Sequence, residues 1–284
     1  MKCSKDMAVC LVIFNPARSR RILQNYYETV EALGNIPTFT VELVFDDDVP
    51  QILNAVHYKS TSYMFHKERL LRLLEKHIPE KYTKLAFIDA DILFDFDWYQ
   101  KTSRALDSYD VVQMFSGACW MNLNKEVILR RETVLKMNST EWDSSYHPGF
   151  AWGMRREWYN KVGFFDWAIS GSGDTLSSIA WLSKTPPPLF QSIPKTIAQK
   201  FADFQALPKP RIGHVEGTVR HLFHGSRENR QYTSRHRMID LDESIDNLIF
   251  VDANGVYAWK DPSWNTIFLD YFRSRRDDEG METS

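Results

Sequence analysis

Cysteine is scarce in this 284-residue sequence: Cys3, Cys10 and Cys119 are the three, scattered along the chain. They form neither a CxxC pair nor an even framework, which argues against the usual zinc spacings and a disulfide scaffold. A reducing compartment fits that pattern. Charge of one sign is missing too. Thirty-five Lys and Arg stand against 37 Asp and Glu, a formal net charge of −2. No overall basic field would draw the chain to nucleic acid, and no nucleic-acid partner is expected. Long apolar runs are absent: nowhere do about 18 apolar residues follow one another, so no membrane span is expected. The apolar run from Met7 to Phe14 is too short to cross a bilayer and lacks a small-residue cleavage site. It reads as a buried strand, and the whole as a cytoplasmic protein. Internal repeats and a clear interdomain linker are also missing.

What is present is an ordinary globular balance, 43% hydrophobic and 25% charged, with an aromatic share of 14%. Rings can line a ligand site, but core filling is their commoner use. Ala8–Phe14 (AVCLVIF) is a continuous apolar run of strand length. Arg18–Leu33 follows as a helix, with Ile22, Tyr26, Val30 and Leu33 on one face. Gly34, Asn35 and Pro37 stop it. Phe39–Phe45 is a second strand, and the unit opens an α/β sheet. Lys67–His77 predicts a helix, Lys84–Ile88 and Asp110–Met114 strands, and Lys125–Lys136 another helix. Between Tyr146 and Asp174 five glycines stand among Trp, Phe and Arg, as in a shaped, loop-rich pocket wall. A helix over Thr175–Leu182 and an extended Thr185–Leu189 (TPPPL) follow. The stretch from Gln199 to Arg220 is ambiguous, and His221–His236 is polar, basic and rich in His. Residues 273–284 read as a disordered tail.

The sharpest feature is Asp89-Ala90-Asp91, delivered by the apolar strand KLAFI and followed by Ile92-Leu93-Phe94. In open α/β sheets ligands gather at the carboxyl ends of strands. Two carboxylates there, separated by one small residue, can bind a hard cation through oxygen. The alternative is a solvated acidic turn, the reading that suits Asp95 and Asp97.

KLAFIDADILF resembles the metal-binding strand of GT-A glycosyltransferases. The segment Gly149 to Arg156 (GFAWGMRR), continuing through Val162-Gly163-Phe164-Phe165-Asp166 to Gly171-Ser172-Gly173-Asp174, is similar to the acceptor-side region of that superfamily. There a glycine-rich loop ends in an acid, which is the catalytic base of inverting members. A late His often completes the metal shell, and His221-Leu222-Phe223-His224-Gly225 sits at the matching place. The resemblance runs from the first strand to about His236. It departs in one respect: many relatives carry two acids at the end of the glycine-rich loop, and here Asp174 stands alone.

The resemblance implies an α/β, GT-A (Rossmann-like) fold with a mainly parallel central sheet and a smaller antiparallel acceptor-side part. It implies one domain over residues 1–272, with a nucleotide-binding half over about 1–116 and an acceptor half over about 117–272. The implied activity is transfer of a hexosyl or pentosyl group from a nucleoside diphosphate sugar, UDP-linked, to a glycan hydroxyl. Inversion is the implied outcome, and Mn²⁺ or Mg²⁺ the cofactor. Asp89, Asp91 and either His224 or His221 would hold the metal, with His224 favoured because Gly225 frees the backbone beside it. Asp174 would be the general base, a helix N-cap, or both at once. Phe14, Asn15, Asp46, Asp47, Lys67, Ala90, Arg227 and Arg230 would meet the nucleotide. His147, Trp152, Gly153, Arg155 and Gly173 would face the sugars. Many secretory relatives carry a membrane anchor; its absence is expected of a bacterial or viral member, the latter in the host cytoplasm, or of a truncated chain. Two rivals remain: a sugar nucleotidyltransferase, for which Asn15–Arg20 lacks a glycine-rich signature, and a non-catalytic carbohydrate-binding scaffold.

Overall fold

The computed structural model describes residues 6–138, 143, 145–184, 193–232 and 234–281. Cys3 and the proline run Thr185–Leu189 lie outside the described residues. The first half runs β1 (Met7–Phe14), α1 (Arg20–Leu33), β2 (Thr38–Phe45), β3 (Val56–Ser60), α2 (Lys67–Glu75), β4 (Lys84–Ile88), β5 (Ile92–Phe94), α3 (Trp98–Ala105) and β6 (Val111–Gln113). Next come β7 (Gly117–Met121), β8 (Val127–Thr133), β9 (Tyr146–His147), β10 (Ala151–Arg155), α4 (Arg156–Lys161), α5 (Gly173–Leu182) and α6 (Lys195–Gln205). The last elements are β11 (Ile212–His214), β12 (Thr218–His221), α7 (Ile245–Leu248), β13 (Ile249–Val251), β14 (Tyr257–Trp259) and α8 (Trp264–Ser274).

The fold is α/β. A seven-stranded sheet has the order β11-β6-β10-β4-β1-β2-β3, and within it only β10 runs against its neighbours. Both faces of β1 are buried, which is why its sequence is apolar without alternation. Met7, Val9, Leu11 and Ile13 join the core beneath α1 and α3, and Ala8 and Cys10 join the core beneath α2. Ser19 starts α1 by accepting from the Ile22 N–H, and Gly34 ends it at a φ of 57°, a conformation glycine takes without strain. A smaller sheet, β5-β12-β7-β8-β9, joins antiparallel pairs (β5–β12, β7–β8) to parallel ones (β12–β7, β8–β9). A third core lies between α5, α6, α8 and the β13–β14 hairpin.

Two expectations fail. Lys125–Lys136 is not a helix: it holds β8 and a short 3-10 turn at Val134–Lys136. Arg273 and Ser274 belong to α8, and residues 275–281 are held in place where disorder was expected, while 282–284 lie outside the described residues. Asp277 is buried, and Asp278 accepts from Ser19 Oγ at 2.6 Å and from the Arg21 N–H at 2.9 Å. No described helix is long and apolar enough to cross a membrane.

Candidate active site

The carboxyl ends of β1 and β4 open into a cleft of about 410 Å³, closed on its far side by the smaller sheet. Asp89 follows β4, its N–H held by the Phe150 carbonyl at 2.8 Å. Asp91 lies between β4 and β5. The antiparallel register of β12 with β5 sets His221 opposite Ile92, and the Leu222 N–H donates to the Asp91 carbonyl at 2.8 Å. Sheet pairing therefore brings a histidine more than a hundred residues away beside the acidic pair.

Asp91 Oδ2 stands 2.9 Å from His224 Nε2 and 3.6 Å from His221 Nε2, and the two imidazole nitrogens are 2.8 Å apart. Both histidines are buried. Burial pushes His221 down to about 4, so the ring is neutral and its Nε2 lone pair is available when the proton rests on Nδ1. Asp91 Oδ1 and His224 Nδ1 are buried without a hydrogen-bond partner. Unsatisfied buried polar atoms are costly, and a cation would meet the unused oxygen. Among the described residues, Asp91, His221 and His224 are the one cluster whose ligand atoms all lie within 4.8 Å. One carboxylate with two imidazoles suits a divalent transition ion such as Mn²⁺ better than Mg²⁺, which prefers all-oxygen shells.

Asp89 stands apart from that trio. Its Oδ1 pairs with Lys67 Nζ, which also lies 3.8 Å from Asp174 Oδ2. Lys67 opens α2 and so ties the acidic pair to the other acid of the cleft. Burial raises Asp89 to about 6 against the pull of Lys67, with the charges of Asp91 and Asp174 adding to the rise. Asp174 sits in the first turn of α5, where the helix dipole favours a negative charge. Its Oδ1 accepts from the Thr175 N–H at 2.7 Å, which leaves Oδ2 toward Lys67. Glu68 lies beneath, buried, and burial pushes it up to about 8.

The loop carrying Asp174 is itself fixed. Gly171 has a φ of 90° and Ser172 one of 70°. Arg235 Nη2 donates to Ser172 Oγ at 2.9 Å, and the His236 ring meets the hydroxyls of Ser170 at 2.8 Å and Ser172 at 3.3 Å. A Cβ on Gly171 would stand 2.8 Å from Arg235 Nη2, so only glycine admits this approach.

Other sequence candidates divide. Phe14, Lys67, Ala90, His147, Arg227 and Arg230 line the cleft. Arg230 donates to the His224 carbonyl at 2.7 Å and pairs with Asp277 at 2.8 Å, so it braces the histidine turn. Asn15 does not line the cleft; its side chain closes the turn after β1 through Ser19, with both bonds at 2.8 Å. Asp46 and Asp47 are exposed beyond β2 and line no part of it, and the Asp46 carboxylate accepts from the Tyr63 hydroxyl. Four sugar-facing candidates do not line the cleft. Trp152 is buried on β10, donates to the Pro148 carbonyl at 2.8 Å and packs on Trp181. Gly153 is small because α3 and β6 press on it: a Cβ would stand 2.9 Å from Thr102 Cγ2 and Val112 Cγ2. Arg155 spends its guanidinium on the carbonyls of Leu106, Asp107 and Tyr109. Gly173 lies under the cleft floor, where a Cβ would stand 2.6 Å from Glu68 Oε1.

The cleft also holds residues that sequence reading passed over: Glu68, Trp120, Arg131 and Tyr146. Glu68 was signalled only by its place next to Lys67. Arg131 lies in the segment read as a helix, where the structure has β8.

No protein-family model matches the sequence, and no curated protein matches it. Among solved structures, an S. aureus TarS fragment in complex with UDP-GlcNAc aligns over 78% of this chain and 60% of its own length, at 10% identity and a TM-score of 0.45. The catalytic domain of Drosophila β1,4-galactosyltransferase 7 in complex with xylobiose aligns over 92% of this chain and 98% of its own, at 11% identity and a TM-score of 0.41. Glucosyl-3-phosphoglycerate synthase from Mycobacterium tuberculosis, with Mg²⁺ and UDP, aligns over 82% and 76%, at 11% identity and a TM-score of 0.43. This chain thus spans three fifths of the TarS fragment. At this level of likeness the functional reading rests on the chain's own cleft.

Proposed function

We propose that the chain is a metal-dependent glycosyltransferase of the GT-A type. In particular, it transfers a sugar from a nucleoside diphosphate sugar, UDP-linked, to a glycan hydroxyl with inversion. The observation that supports this most is the meeting in one cleft of the Asp91–His221–His224 cluster and the Asp174 carboxylate, linked through Lys67 and Asp89.

Asp91, His221 and His224 would hold the divalent cation. When bound, the metal offsets the charge that builds on the leaving diphosphate. The chain's own groups do the rest. Phe14 and Ala90 form the wall at the carboxyl ends of β1 and β4, where the nucleotide lies. Lys67 holds the carboxylates of Asp89 and Asp174 in one orientation. Asp174 accepts the acceptor hydroxyl's proton on Oδ2 as that oxygen attacks the anomeric carbon from the face opposite the diphosphate. A second acid close by stays protonated, because burial raises Glu68, so Asp174 is not set against a full negative charge.

The test is release of UDP from UDP-sugars in the presence of Mn²⁺, with the product's anomeric configuration read by NMR. Turnover that is lost with EDTA and in Asp91→Asn supports the reading. Pyrophosphate formation from a sugar phosphate and a nucleotide would replace it with a nucleotidyltransferase. A product that keeps the donor's configuration would remove Asp174 from the role of base.

A further inference from the structure

Six cationic side chains reach the cleft wall: Lys67, Arg131, Arg227, Arg230, Arg235 and Arg275. Most are committed. Lys67 pairs with Asp89, while Arg230 and Arg275 pair with the buried Asp277. Arg235 donates to the hydroxyls of Ser172 and Tyr271. Arg131 and Arg227 differ. Among the described residues neither has a carboxylate within ion-pair distance or a hydrogen-bond acceptor. Each guanidinium carbon lies 5.6 Å from the centre of the Trp120 ring. Both side chains are half-buried. Burial and the like charge of Arg227 work against the charge on Arg131. Two half-buried guanidiniums set around one indole, with Asp143 and Glu228 acting on them only from beyond ion-pair distance, carry an electrostatic cost that an anion would lower.

A donor beside them adds to the picture. The His147 ring stands 4.7 Å from Trp120, and its Nε2 is buried without a partner. Arg131 belongs to β8 and His147 to β9, which pair in the smaller sheet. Both therefore sit on the smaller sheet, beside Trp120, whose ring lies 6.1 Å from that of His221. The charge count points the same way. A nucleoside diphosphate and a divalent cation nearly cancel, so the diphosphate does not need this second pair of arginines.

We propose that Arg131 and Arg227, with His147 and Trp120 between them, form a subsite for an anionic substituent on the sugar substrate, a carboxylate or a phosphate ester separate from the nucleotide. Guanidinium forks suit such groups, and the buried Trp120 ring between them fixes where the two guanidiniums stand. This inference rests on the transferase reading. The anion has two sources, an acidic donor sugar or an acidic acceptor, and the experiment separates them.

The full chain is titrated with UDP and Mn²⁺, then with UDP-glucuronate and UDP-glucose, by calorimetry. In a second arm the chain saturated with UDP and Mn²⁺ is titrated with methyl glucuronide, glucose 6-phosphate and methyl glucoside, followed by ligand-observed NMR. In one arm the acidic ligand should bind at least about tenfold more tightly than the neutral one. A preference in the first arm places the charge on the donor, and a preference in the second places it on the acceptor. Arg131→Gln and Arg227→Gln should each bring the ratio close to one, and Arg131→Lys should keep part of it. The affinity of Arg131→Gln for UDP with Mn²⁺ should stay as in the parent chain, which also shows that the variant is folded. No acidic preference in either arm overturns the proposal. So does a loss of UDP affinity in Arg131→Gln equal to the loss for the acid, since Arg131 would then be a diphosphate ligand. If UDP with Mn²⁺ does not bind at all, the transferase reading fails, and this one with it.

Discussion

At the scale of single residues, the site separates groups that do chemistry from groups that make room for it. Asp174 is the first kind. Asp174→Asn keeps the shape and the bond from Thr175 but cannot take a proton. Loss of a general base costs about 10²- to 10⁴-fold in rate. The expected result is a fall of that size in the rate of transfer, with the Kd for UDP and Mn²⁺ little changed; an undiminished rate would exclude Asp174 as base. Gly173 is the second kind. A Cβ there would stand 2.6 Å from Glu68 Oε1, and the helix backbone cannot yield cheaply. Gly173→Ala should destabilise the protein by about 1–3 kcal/mol, as overpacking does, measured by urea unfolding. Glycines read from sequence as openings for a sugar are, at 153 and 173, spaces already filled by neighbouring side chains. Sequence alone could not tell these cases apart, because a missing Cβ looks the same whether its place is taken by a ligand or by Thr102.

At the scale of elements, the strands that carry the acidic pair were legible and the smaller sheet was not. KLAFI is buried at every position, so its pattern is unambiguous. VILRRET has apolar residues exposed at Val127 and Ile128 and charges among them. Its strand state comes from pairing with β7, a non-local term that composition does not record. The misread segment is the one that carries Arg131. The carboxyl-terminal segment was missed for a similar reason. Its acidic, polar sequence lacks apolar anchors, yet Asp278 accepts from Ser19 Oγ, the Arg20 N–H and the Arg21 N–H. A carboxylate there satisfies first-turn donors of α1 that the helix itself cannot. Asp278→Ala should therefore cost about 1 kcal/mol of stability, within the range for helix caps, read as a lower urea midpoint at unchanged m-value. An unchanged midpoint would mean that this segment does not cap α1 in solution.

At the scale of the whole molecule, buried ionisable groups set an optimum of stability in pH. His66 is pushed down to about 4 and His236 to about 3, in both cases chiefly by burial. Unfolded, both titrate near 6.5. Their folded values are depressed, so the stability they contribute is fully present above 6.5 and is lost as pH falls toward 4 and 3. Glu68 acts in the opposite direction. Its folded value is raised from 4.5 to about 8, so its contribution is complete below 4.5 and is lost as pH rises through 8. Between 4.5 and 6.5 the two histidines bind two protons in the unfolded chain while Glu68 binds one in the folded chain. These three groups alone make stability rise with pH by about 1.4 kcal/mol per unit. Burial also lowers His147 and His221 and raises Asp89, a further two protons against one, so the slope for all six groups is about 2.7 kcal/mol per unit. Between 6.5 and 8 only Glu68 among these groups still differs, and stability should fall by about 1.4 kcal/mol per unit. Urea unfolding of the metal-free protein should accordingly give its highest stability near pH 6.5. Glu68→Gln should flatten the alkaline limb and steepen the acid limb by about 1.4 kcal/mol per unit, because glutamine cannot titrate and no longer offsets the histidines. A limb above pH 6.5 that stays equally steep in Glu68→Gln would show that the carboxyl beneath Asp174 is not the group that carries the extra proton.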